Sequence, residues 1–126
     1  MSNISFGKGG LIENPKANLV VIQCSTITPD ESHRLTDLYT SKRVKTLSVP
    51  ILGGISAAES GELVLIAAGA KTEYDQSESI LKDISKQVFY IGSNHGTASI
   101  LKLAININIS LIALALAEAC SIFCRC

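Results

Sequence analysis

Four short apolar runs, three of them stopped by glycine, dictate what this chain can fold into. They are Leu19-Val20-Val21-Ile22, Thr46 to Leu52 before Gly53-Gly54, Leu63 to Ala68 before Gly69, and Val88 to Ile91 before Gly92. Each has the length of a buried strand, and the glycines mark turns at the ends. Between the first two runs, Thr28 can cap a helix with Pro29 at its first position and Glu31 completing a capping box. Leu35 and Leu38 carry that helix's apolar face, and it should stop near Ser41. A second helix, from Thr72 or Glu73 through Ile84, sets Ile80, Leu81 and Ile84 at helical spacing. Strands alternating with helices predict an α/β fold with a largely parallel sheet. The stretch from Gly53 to Leu63 has no room for a crossover helix, so its two flanking strands are expected to pair antiparallel. The predicted sheet is mixed.

From about Thr97 to Phe123 the pattern changes to one long apolar helix, interrupted only by Asn106, Asn108 and Ser110 in its middle. A helix apolar all the way round must be buried in protein or in lipid. Lys102 and Glu118 bracket less than the roughly 20 apolar residues of a membrane span, and the asparagines add cost. Burial in protein is therefore expected, with no membrane partner. Four strands and two short helices can cover only one side of it. The remainder should stand exposed in a lone monomer, a sign of an incomplete or self-associating polypeptide.

Composition narrows the function. The 126 residues suffice for one domain and are too few for a nucleotide domain plus a substrate domain. Eleven basic residues offset eleven acidic ones and tryptophan is absent, so neither a broad positive field nor a base-stacking surface is available. Nucleic acid is excluded as a partner on those grounds. Cys24, Cys120, Cys124 and Cys126 are not spread as a secreted disulfide framework would be, and Met1 to Gly10 lacks an apolar leader core. A reducing, cytoplasmic location is expected.

Four sites invite chemistry. Phe6-Gly7-Lys8-Gly9-Gly10 is glycine-rich but lacks the preceding strand and following helix of a phosphate loop, so an ordinary turn is favoured. Gly53-Gly54 ends a strand, where α/β sheets place ligands; free N–H groups there can take a carboxylate, or the pair is a plain tight turn. Lys102 and Asn106 share a face of the apolar helix, which Ser110 continues. Removal of water favours a neutral amine, so a lysine there can exchange a proton; the alternative is a snorkelling lysine with a capped asparagine. Cys120, Cys124 and Cys126 have spacing for a soft metal, but His33 and His95 are distant in sequence, and incidental thiols are favoured.

The order of motifs adds a resemblance. Ser25-Thr26-Ile27-Thr28-Pro29, then Pro50 to Gly54, then Ala58 to Leu63, then Gly96 through Lys102 to Asn106 resembles the β-hydroxyacid dehydrogenases. That group includes 3-hydroxyisobutyrate dehydrogenase and is related to 6-phosphogluconate dehydrogenase. Phe6-Gly7 and Gly10-Leu11-Ile12 are similar to the stretch leading into that group's Ser-Thr-Ile strand. The resemblance implies that residues 1–92 form the C-terminal part of a Rossmann-like NAD(P)-binding domain. Residues 93–126 would begin the long interdomain helix of a truncated helical domain. It also implies Lys102 as catalytic acid/base, Gly53, Gly54 and Asn106 as substrate-binding, and Ser25 and Thr26 beside an NAD or NADP nicotinamide. The substrate would be a small 3-hydroxy acid. Two departures stand out: Leu52 occupies the place of a substrate-binding serine, and Ala98 that of a second glycine. No Gly-x-Gly-x-x-Gly follows a strand, and the ending Ile122-Phe123-Cys124-Arg125-Cys126 resembles a premature stop or altered frame. The expectation is a fragment that is inactive alone.

Overall fold

The computed structural model describes residues 5–124. Met1 to Ile4 of the expected leaderless start, and Arg125 and Cys126 of the cysteine-rich ending, lie outside the described residues. Strand β1 (Val20–Gln23) leads to helix α1 (Pro29–Ser41). The Thr28 hydroxyl accepts the Glu31 N–H at 3.3 Å, as the cap signal predicts. The other half of the predicted box does not form. Both Glu31 carboxylate oxygens instead accept from the Arg34 guanidinium, at 2.8 and 2.9 Å, one turn on.

Strand β2 (Lys45–Ser48) lies parallel to β1, Val20 opposite Lys45 through Gln23 opposite Ser48. The expected single run from Thr46 to Leu52 is broken at Val49-Pro50, and β3 (Ile51–Leu52) resumes beyond it. Proline has no N–H to give a ladder, but its carbonyl still accepts from Ile66 at 3.2 Å, bridging the break. Helix α2 (Ile55–Glu59) spans five residues, too short to carry the chain across the sheet. Strand β4 (Val64–Gly69) therefore returns antiparallel to both β2 and β3. Helix α3 (Lys71–Asp83) then crosses back to β5 (Gln87–Tyr90), parallel to β4. The mixed sheet read from the short Gly53–Leu63 connection is correct.

Alternation along β2 and β4 divides the core. Leu47, Val49, Leu65 and Ala67 face Tyr74 and Leu81 of α3. The opposite face carries Ile66 and Ala68, covered by Ala98 and Ile105 of the last helix, α4 (His95–Phe123). On that side α1 packs Leu35 and Tyr39 with Val44 and Val21. Helix α4 starts two residues before the expected Thr97, because the Asn94 side chain accepts the Gly96 N–H at 2.9 Å and caps it there. Its first turns are held by sheet and α1. From Ile107 onward every described residue of it is exposed, as the shortage of covering elements predicts. By length and composition α4 is the one helix among the described residues apolar enough to cross a membrane.

Candidate functional site

Ser25 and Thr26 follow β1, and Gly53-Gly54 follows β3. Because β1 and β2 are parallel and β3 continues β2, both groups lie at one end of the sheet. Val49 N–H donates to the Gln23 carbonyl at 2.7 Å, tying the two strand ends together. Ser25 and Thr26 are exposed, and the Ser25 N–H donates to Gln23 Oε1 at 2.8 Å. Behind them burial pushes the Cys24 thiol above its ordinary range, so it is a packing group.

The bend needs its first glycine. Gly53 has φ +128°, and a methyl there would meet Leu63 Cδ2 at 2.8 Å and Ala57 Cβ at 3.1 Å. Gly54 is different: its φ is −99°, and a methyl would meet nothing within 4 Å. Both residues are exposed, so the bend presents open backbone to solvent.

Helix α4 enters beside the carboxyl end of β4. His95 lies against Gly69, the last residue of β4, which pairs with Leu47 of β2. From there the helix runs along the sheet: Ala98 packs with Ile66 and Ala68, and Leu52, Ile91 and Ile105 pack against that cluster. Seven residues beyond His95, or about 10 Å of rise, comes Lys102. His95, Ser99, Lys102 and Asn106 form one stripe, at spacings of four, three and four. The lower members of the stripe are anchored; Lys102 and Asn106 are half-buried. Among the described residues neither side chain has a hydrogen-bond or ion-pair partner. Leu52, which precedes the glycine bend, and Leu101 and Ile105, which flank Lys102 and Asn106, line one wholly apolar cavity of about 300 Å³. Neither Gly53 nor Lys102 lines it; their neighbours in sequence, Leu52 and Leu101, do. Leu52 turns its side chain into that cavity, where it offers no polar atom.

Residues 7–10 form a hydrogen-bonded turn, Gly10 N–H to the Gly7 carbonyl at 2.8 Å, with no strand before it among the described residues. Cys120 and Cys124 are exposed free thiols, and among the described residues no group of three metal-ligating side chains exists. A polar constellation escaped the sequence reading. Ser32 on α1, Ser48 on β2 and His95 on α4 form a continuous chain of contacts. The Asn94-x-Gly96 cap was the available signal, since it starts α4 early enough to bring His95 onto the sheet.

Residues 1–92 match the family described as the NAD binding domain of 6-phosphogluconate dehydrogenase. The chain is 24% identical to 3-hydroxyisobutyrate dehydrogenase of Pseudomonas aeruginosa over 94% of its own length and 40% of that protein's. It is 23% identical to 2-(hydroxymethyl)glutarate dehydrogenase of Eubacterium barkeri, over all of this chain and 42% of that one. A crystal structure of 3-hydroxyisobutyrate dehydrogenase from Salmonella typhimurium superposes with a TM-score of 0.81 at 24% identity, covering 87% of this chain and 39% of that one. The chain spans about two fifths of the length of these relatives. Its two parallel crossovers, joined through an antiparallel return, are the later strands of a Rossmann-like sheet, and the chain belongs to the NAD-binding domain family of 6-phosphogluconate dehydrogenase.

Proposed function

We propose that this chain is the substrate-side part of an NAD- or NADP-dependent oxidoreductase acting on a small 3-hydroxy acid, in the manner of 3-hydroxyisobutyrate dehydrogenase. What supports the reading is that Lys102 and Asn106 are half-buried on one helix stripe and unpaired among the described residues, while Gly53-Gly54 offers open backbone after β3. Open backbone at Gly53 and Gly54 suits a substrate carboxylate. Lys102 takes the proton of the substrate hydroxyl, and Asn106, one turn on, holds the same oxygen by hydrogen bonding. A bound nicotinamide supplies the hydride acceptor. Ser25 and Thr26 fit beside it, being exposed at the carboxyl end of a parallel strand, where such sheets bind ligands. No pyrophosphate-binding glycine motif follows a strand in these 126 residues, so in this reading the chain does not turn over substrate alone. The protein acts in the cytoplasm.

The test is a steady-state assay of 3-hydroxy acid oxidation, followed by nicotinamide absorbance. The 126 residues alone should be silent. The same chain carrying a glycine-rich βαβ unit upstream should be active, and Lys102→Ala in it should abolish turnover. Undiminished activity in that variant removes Lys102 from the chemistry.

A second reading has its own observation, the exposure of α4 beyond Asn106. In it the chain is a non-catalytic module that self-associates or pairs with a partner through that helix. Light scattering on the purified chain decides the self-association arm, which a monodisperse monomer would refute.

A further inference from the structure

We propose that His95 is a proton-sensitive clasp, which holds the first turns of α4 on α1 and the sheet when neutral and loosens them when charged. The geometry carries this. His95 Nδ1 lies 3.2 Å from Ser48 Oγ on β2, and that oxygen lies 3.2 Å from Ser32 Oγ on α1. One chain of hydrogen bonds therefore joins three elements. Both serines are buried, so a lost partner would strand a hydroxyl away from water. The imidazole is pressed against Gly69, where a methyl would come within 2.9 Å of its Cε1. One residue on, Gly96 admits His33 of α1 so closely that a methyl would fall 2.5 Å from His33 Nε2. Two imidazoles, one from each helix, thus share the joint. His33 is exposed and His95 half-buried, so the pair sits at the rim of the joint.

The charges around His95 are few. His33 approaches from α1 and Glu73 from α3; Arg43 and Lys45, before and within β2, line with Glu73 a cavity of about 310 Å³ that opens on the ring. Lys45 is 3.6 Å from Glu73, so those two largely answer each other. Burial, and after it the charge of His33, hold the His95 imidazole below its ordinary range, with Glu73 pulling the other way. A folded value below the unfolded one means that the loosened state binds the proton more readily. Stability from this group is then complete above about pH 6.5 and is lost as the pH falls below it. The cavity gives water and protons access to the ring. Where neutral His95 carries its proton on Nε2, protonation also removes Nδ1 as an acceptor, and a Ser48 hydroxyl directed at it must turn away.

Amide hydrogen exchange on the 126-residue chain tests the clasp. After correction for the intrinsic pH dependence, protection of the amides from Ala98 to Lys102 should fall, by at most about tenfold, between about pH 7.5 and about pH 5.5. His95→Asn, which keeps a neutral hydrogen-bonding side chain, should flatten that response. A wild-type response in His95→Asn overturns the proposal. So does a chain in which His95 titrates by NMR with no change in protection. Should His95→Asn fail to fold, His33→Gln serves instead: removing the neighbouring charge should raise the NMR midpoint of His95, and an unmoved midpoint sinks the clasp.

Discussion

Adjacent glycines in this chain carry different loads. Gly53 sits at φ +128° with Leu63 and Ala57 closing on the space a methyl would need. Gly53→Ala should therefore destabilise by about 1–3 kcal/mol, read as a lowered urea midpoint with unchanged slope. Gly54 has ordinary dihedrals and open space around it, so Gly54→Ala should stay within about 0.5 kcal/mol of the parent. Equal losses at both positions would mean that the bend is not the strained turn described. In the reading proposed for the site, Gly54→Ala would instead reveal itself in the Michaelis constant. The pair was legible in the sequence, because consecutive glycines after an apolar run rarely mean anything but a bend. Which of the two is conformationally obligatory was not. That depends on Leu63, ten residues on and brought close by the antiparallel return.

At the scale of elements, legibility followed the chemistry of the ends. Helix α1 begins at Pro29 and stops at Ser41, as Thr28 and the apolar spacing predict. Thr28→Ala should cost about 1 kcal/mol in thermal or urea unfolding. Glu31→Gln should cost clearly less than Thr28→Ala, because Glu31 pairs with exposed Arg34 rather than closing the box. A cost at Glu31 matching that at Thr28 would restore the reciprocal cap. Helix α3 was misjudged at its start: it begins at Lys71, one or two residues before the expected Thr72 or Glu73, after Ala70, which has no side-chain cap. No cap residue marks that end, so the sequence held no signal for it. The break at Val49-Pro50 was missed for the opposite reason. Proline announces a lost donor, but whether the strand survives it depends on β4, whose Ile66 N–H finds the proline carbonyl. In the two layers these elements build, Leu65 and Leu81 are fully buried against one another's neighbours. Leu81→Ala should accordingly cost about 2–5 kcal/mol.

For the whole molecule, the informative asymmetry is along α4. Gly96, Ala98 and Ser99 are buried where the helix crosses α1 and the sheet, whereas Ile112 and Leu116 are 69% and 64% exposed. A continuous apolar pattern in sequence could say that the helix must be covered, but not where coverage ends. That boundary comes from the reach of the sheet, which runs out beyond Leu52 and Ile105. The two halves should then answer mutation oppositely. Enlarging the buried half, as in Ala98→Leu, forces a larger side chain against Ile66 and Ala68 and should cost about 1–3 kcal/mol. Introducing charge in the free half, as in Ile112→Glu with Leu116→Lys, touches only exposed positions and should leave the urea midpoint within about 0.5 kcal/mol of the parent. The same pair should reduce any concentration-dependent association seen by light scattering, since it breaks the apolar surface that drives it. If the charged pair instead unfolds the monomer, α4 is held by its own chain beyond Asn106, and the division of the helix into an anchored and an unpartnered half is wrong.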